Sequence, residues 1–168
     1  SSRLPRQALI AALPDPAFLD VETVLALYDD MREDFGVGLV SIDECKIEGA
    51  LGRVESNFYY LDPAPSVPKL AGVLGYSIAK AHAFGDGNKR TALAAMDLFL
   101  IDNGWINIAD GIETAKMLEA VVGNEISEPE FIEWIAANCS DDFEVYPMYQ
   151  SEDEDEYENG NALYEIHP

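Results

Sequence analysis

The sequence predicts an all-α protein, a bundle of helices packed around one buried central helix. Apolar residues recur at helical spacing along most of the chain, as at Val24, Tyr28 and Met31. The segment from Asn88 to Asp102 is apolar on nearly every side, which is typical of a helix that other helices surround. Outside the helical segments, Trp105 to Ile108 indicates a short extended piece.

Capping residues predict where the helices begin. A Ser or Asp at the N-cap accepts a hydrogen bond from a free amide of the first turn, and a Glu three residues later can return one. Such residues stand at Asp20, Ser41, Ser66, Asp110 and Ser127. The helix that begins after Ser41 should end near Val54. Asn57–Pro65 holds three aromatic residues, two prolines and no helical period, and therefore predicts a loop or short hairpin.

These signals divide the chain into three parts. The helix signals lie within residues 20–140, which we expect to form the folded domain. Residues 1–19 before it are an N-terminal extension. Residues 141–168 form a C-terminal tail with several aromatic residues, ten of the 32 acidic residues of the chain and no Lys or Arg. The roles of the extension and of the tail stay open.

The charge and the cysteines limit the class of protein. Ten Lys and Arg against 32 Asp and Glu give a net charge of −22, which repels nucleic-acid phosphates and anionic membranes. A saline cytoplasm and ordinary solubility both explain so acidic a surface. No apolar run approaches the ~20 residues of a membrane helix, and we see no secretory signal. Cys45 and Cys139 form no metal motif, so we expect a cytoplasmic protein.

The segment from His82 to Thr91 differs from the rest of the chain. It places a glycine-rich loop before the start of the central helix, where unpaired amides and the helix dipole form an anion site. Lys89 and Arg90 oppose that dipole in the first turn, and a bound polyphosphate would compensate them. Asp86 can hold Mg²⁺ against the phosphates, and His82 can act as a general base.

Each of these residues also has an ordinary structural role. A His at a helix end often serves the helix dipole, Lys and Arg are usually solvated, and Asp86 is a plausible helix cap. Their combination at this spacing favours a functional site over four separate structural roles.

The run His82-Ala-Phe-Gly-Asp-Gly-Asn-Lys-Arg resembles the signature of the Fic/Doc family, His-x-Phe-x-Asp/Glu-Gly/Ala-Asn-Gly/Lys-Arg. The resemblance extends over Asp20–Asn138 and is to the Doc (death-on-curing) branch, through features such as Gly52-Arg53-Val54 and Glu125-Ile126-Ser127. It implies a Fic/Doc-like helical bundle that transfers part of ATP to a protein hydroxyl.

By position, the resemblance implies a role for each residue of the segment. His82 would deprotonate the target hydroxyl, Asp86 would hold Mg²⁺, and Phe84 would anchor the loop in the core. The phosphates would be held by the loop backbone at Gly87 and by Asn88 and Arg90. Lys89 is added to this set because of its positive charge at the same helix start. Asn57–Asp62 takes the position of the family's flap, which pairs with the target segment; the equal alternative is that its aromatic residues only close the core under a loop.

Lys89 and Leu93 bear on the reaction. AMP-transferring members of the family generally have Gly and a second Arg at these places, and both departures resemble the Doc branch. The resemblance thus implies a protein kinase that transfers the γ-phosphate to a translation elongation factor, restrained by a separate antitoxin. AMP transfer and a non-catalytic interaction module are the alternatives.

Overall fold

Six helices make up most of the part of the chain that this computed structural model describes, residues 15–36, 38 and 40–143. They are α1 (Val21–Asp34), α2 (Glu44–Tyr60), α3 (Val67–Ala81), α4 (Asn88–Asp102), α5 (Gly111–Val122) and α6 (Glu128–Ala137). Two short strands, β1 (Ile106–Asn107) and β2 (Cys139–Ser140), pair antiparallel. The all-α prediction is confirmed. None of the described helices is long and apolar enough to cross a bilayer.

The central helix of the bundle is α4, as its apolar composition predicts. Ala92, Ala95 and Phe99 are buried in one core that α1, α2, α3, α5 and α6 also line. Helix α3 approaches its neighbours closely through glycines: a Cβ at Gly72 would lie 2.9 Å from the Cα of Ile132, and one at Gly75 would overlap Met96. Close packing of α3 on both α4 and α6 fixes the end of α3, from which residues 82–87, the motif loop, lead into α4.

Four of the five predicted helix starts are confirmed, because their capping bonds are local. The Asp20 carboxylate accepts a hydrogen bond from the Thr23 amide at 2.8 Å. Ser66 and Asp110 accept amide hydrogen bonds from their first turns in the same way. Ser127 and Glu130 form the reciprocal capping box.

The predicted start at Ser41 is wrong. Helix α2 begins at Glu44, and Asp43 is its N-cap. The backbone before it pairs with the motif loop instead: the Asp43 amide donates to the Ala83 carbonyl at 2.7 Å, and the Gly85 amide donates to the Ser41 carbonyl at 3.1 Å. This pairing joins residues far apart in sequence, so capping rules do not detect it.

The predicted loop or flap also begins later than expected. Asn57 to Tyr60 continue α2, and the connection to α3 runs from Leu61 to Ser66 without a strand among these described residues. Aromatic packing extends the helix: the Phe58 ring lies edge-on to Phe18 at 5.8 Å. The Tyr59 hydroxyl also donates to the Asp15 carboxylate at 3.0 Å.

The last residues of the predicted N-terminal extension contact the bundle. Leu19 is buried in the core, and Phe18 packs against it. The Ala17 amide donates to Asn103 Oδ1 at 2.7 Å, and Asn103 Nδ2 donates to the Ala17 carbonyl at 3.0 Å. Residues 1–14 of the extension and 144–168 of the predicted acidic tail lie outside the described residues.

Asp97 makes the stability of the bundle depend on pH. Burial on α4 raises its carboxyl pKa from 3.8 to about 7. The thiol pKa of Cys139 on β2 is raised to about 11, first by burial and then by the negative charge of Asp97. Between pH 3.8 and about pH 7, the folded protein therefore binds the Asp97 proton more tightly than the unfolded chain does. This contribution is therefore complete below about pH 4 and is lost as the pH rises through 7.

We expect Asp97→Asn to flatten the pH dependence of the free energy of unfolding. Above pH 7 the variant should exceed the wild type in stability by on the order of 1 kcal/mol or more, because it removes a charge that burial disfavours. Urea unfolding at pH 5 and pH 8 measures the difference. Asp102→Asn, at an exposed position of the same helix, is the control. Equal pH dependence in wild type and Asp97→Asn would contradict the expectation.

Candidate functional site

His82 occupies the turn at which α3 ends. Its backbone adopts the left-handed conformation, with φ 50° and ψ 44°, which costs a non-glycine residue about 1–2 kcal/mol. The side chain is exposed and hydrogen-bonds to none of the described residues. The turn thus presents the imidazole to solvent.

Phe84 anchors the loop in the core, as predicted. Its side chain is 3% exposed, and its ring stacks on Tyr28 of α1 with centroids 4.1 Å apart and an interplanar angle of 8°. Asn88 Oδ1 accepts from the Phe84 amide at 3.1 Å, while Asn88 Nδ2 donates to the Phe84 carbonyl at 2.8 Å. The side-chain amide of Asn88 therefore fixes the loop, and its backbone N–H stands at the helix start.

Gly87 is the residue at which the loop turns into α4. Its φ of 86° lies in the region that favours glycine, and a Cβ here would collide with Met31 of α1. The Gly87 carbonyl accepts hydrogen bonds from the Thr91 amide at 3.0 Å and from the Thr91 hydroxyl at 2.8 Å. With the pairing of residues 41–43 described above, α1, α4 and the segment before α2 all hold the loop.

A cleft of about 530 Å³ opens beside this loop. One wall is the loop and the first turns of α4, and it brings together every predicted site residue: His82, Asp86, Gly87, Asn88, Lys89 and Arg90. The other wall is α5, which contributes Ile112, Lys116 and Glu119 among others. Sequence reasoning missed this second wall, because its charges are typical of an ordinary solvated helix face.

The two cations of the first turn have partners within the protein. Lys89 Nζ lies 3.7 Å from Glu119 Oε1 of α5, and the Arg90 guanidinium lies over the Phe35 ring at 4.0 Å. These contacts offset the unfavourable position of both cations at the positive end of the helix dipole. Part of the compensation that we expected from a bound polyphosphate therefore comes from the protein itself.

The donor set at the cleft fits one kind of metal site. Asp86 is exposed, and its Oδ1 accepts a hydrogen bond from the Gly87 amide at 2.8 Å. Within the described ranges, no group of three or more His, Cys, Asp or Glu side chains is placed to hold a metal ion. Mg²⁺ commonly binds through one or two carboxylates together with substrate phosphates, and Asp86 beside the start of α4 is a carboxylate that fits such a site.

Comparisons with known proteins agree with this geometry. A family model described as the Fic/DOC family matches residues 18–100. The chain is 32% identical over 107 residues to "Protein kinase doc" of Escherichia phage P1, across 63% of this chain and 82% of that protein. It is 40% identical over 70 residues to "Toxin Doc" of Mycolicibacterium smegmatis, across 42% of this chain and 54% of that protein. The chain therefore belongs to the Fic/Doc family, and to its Doc branch.

Proposed function

We propose that this protein is a Doc-like toxin of a toxin–antitoxin pair and that it transfers the γ-phosphate of ATP to a hydroxyl of a protein target. The observation that carries the proposal is the convergence of an exposed imidazole, a carboxylate, a helix N-terminus and two cations on one cleft. The names of the two relatives, a protein kinase and a toxin, support the same interpretation.

In the proposed reaction, each residue has one task. The amides at the start of α4, with Lys89 and Arg90, hold the polyphosphate, and His82 takes the proton of the target hydroxyl. The hydroxyl oxygen bonds to the γ-phosphorus as the bond from that phosphorus to the β–γ bridging oxygen breaks, so ADP leaves. Asp86 would hold Mg²⁺, which neutralises phosphate charge when bound.

Two residues favour phosphate transfer over AMP transfer. Lys89 adds a cation where AMP-transferring relatives of this kind have Gly. Leu93 replaces the second Arg, and it is 6% exposed at the edge of the cleft. An apolar side chain there offers no charge to a second phosphate group.

Labelled ATP distinguishes the reactions. The protein is incubated with its target in a cell lysate and with ATP labelled at the γ- or the α-phosphate. Label from the γ-position alone supports the kinase, whereas label from the α-position means AMP transfer. No label from either, at full ATP binding, favours the non-catalytic module. Purified translation elongation factor then tests the target that the resemblance implies, and co-purification tests for an antitoxin.

We expect Arg90→Ala to weaken ATP binding about tenfold or more, since a charge-assisted bond to phosphate contributes about 1.5–3 kcal/mol. The variant should also lose about 0.5–1 kcal/mol of stability without ATP, because the stack on Phe35 is lost. Calorimetric titration with Mg²⁺ and ATP measures the first effect and urea unfolding the second. Arg32→Ala, on α1 outside the cleft, is the control. Unchanged ATP affinity in Arg90→Ala would place the polyphosphate elsewhere.

A further inference from the structure

Lys116 is the cation on the α5 wall of the cleft. Its side chain is exposed, and it forms no ion pair or hydrogen bond with the residues that the structure describes. Glu113 and Glu119 lie three residues before and after it on the same helix, where pairing is geometrically easy. Lys116 pairs with neither of them and lines the cleft opposite Lys89 and Arg90.

Glu119 lies between the two walls. Its carboxylate approaches Lys89 Nζ at 3.7 Å, with the two side chains 64% and 47% exposed, and it stands one helical turn after Lys116. A carboxylate in this place provides the negative charge that the first turn of α4 attracts. Such an exposed ion pair contributes only about 0–1 kcal/mol, so a more highly charged anion can displace it.

The distribution of charge supports a binding role for this wall. The chain has ten Lys and Arg and a net charge of −22, and yet this cleft, beside its carboxylates Asp86 and Glu119, is lined by three of those cations. Two come from the motif, and the third comes from a helix more than 20 residues later in the sequence. Cations that only face solvent would have no reason to gather in one cleft of so acidic a protein.

We propose that α5 completes the polyphosphate site: Lys116 binds the phosphate chain from the side opposite α4, and Glu119 is the internal anion that the phosphates displace from Lys89. This rests on the proposed ATP-dependent function. Lys116 and Glu119 then act with opposite signs on nucleotide affinity. The effect of Lys116 grows with the number of phosphates, because AMP offers it the least charge.

Calorimetric titration of the full chain with ATP, ADP and AMP in Mg²⁺ tests the proposal. Lys116→Gln should weaken ATP binding about tenfold and AMP binding less, while Lys116→Arg should restore ATP affinity to within about twofold. Glu119→Gln should tighten ATP binding a few-fold. The matched controls are Lys69→Gln and Glu133→Gln, an ion pair at 3.3 Å outside the cleft with 46% and 68% exposure; both should leave ATP affinity unchanged.

The outcomes separate this proposal from the proposed function. Unchanged ATP affinity in Lys116→Gln overturns the role of α5, even if Arg90→Ala still weakens binding. Weaker binding in Glu119→Gln also overturns it, because Glu119 would then be a ligand rather than a competitor. ATP binding with the predicted signs but without phosphate transfer supports the site and overturns only the kinase. A wild type that does not bind ATP overturns both.

Discussion

His82→Ala should lower the rate of phosphate transfer by about 10²–10⁴ while ATP still binds. The physical reason is the loss of a general base, whose contribution is typically of that size. His82 is exposed and hydrogen-bonds to none of the described residues, so its removal leaves the core and the cations of the cleft in place. Single-turnover transfer of γ-label measures the rate, and titration with ATP measures binding.

The matched variant for this experiment is His82→Asn. Asparagine tolerates the left-handed backbone that His82 adopts, so it separates loss of the base from a change in the turn. We expect both variants to be slow and to unfold near the wild-type midpoint. Transfer at the wild-type rate in either variant would remove His82 from the mechanism.

Phe84→Ala should destabilise the protein by about 3–5 kcal/mol, as is usual for a buried Phe in a closely packed site. The variant loses the stack on Tyr28 and the anchor of the motif loop. Because the loop carries the predicted phosphate-binding residues, ATP affinity should fall as well. Urea unfolding at constant pH measures the stability, and calorimetry measures the affinity.

The control for Phe84→Ala is Phe143→Ala, a Phe that is 50% exposed and far less packed. Truncation of an exposed side chain of this kind usually changes stability by no more than about 0.5 kcal/mol. A similar loss in both variants would mean that the effect belongs to phenylalanine in general. A loss below about 1 kcal/mol in Phe84→Ala, with ATP binding unchanged, would contradict the role of Phe84 as an anchor.

Local chemistry made much of the fold predictable. The starts of α1, α3, α5 and α6 follow from capping residues that act within one turn. The bounds of α4 follow from its apolar composition and from the glycines before it. Both errors in the bounds of α2 have a non-local cause. Phe58 packs against Phe18 and so continues the helix at its end, and the backbone of Ser41–Asp43 hydrogen-bonds to the motif loop before its start.

The candidate site was predictable to the same extent and for the same reason. Its motif wall is one continuous segment, so the spacing from His82 to Arg90 was enough to predict the residues that line it. Its α5 wall is brought there only by tertiary packing, and nothing near Lys116 or Glu119 in the sequence marks them. The partners of Lys89 and Arg90 also come from other parts of the chain, which is why a charge argument from α4 alone did not find them.

The motif loop is already ordered in the folded protein, so a ligand that binds beside it costs the loop little further conformational entropy. Ordering one backbone residue costs about 1–2 kcal/mol, and residues 83–87 incur that cost when the protein folds, through Phe84, Asn88 and the pairing with residues 41–43. In the proposed function, nucleotide binding would then order only a few side chains and no backbone of the loop. We therefore expect diffusional encounter, and not closure of the loop, to limit the association rate.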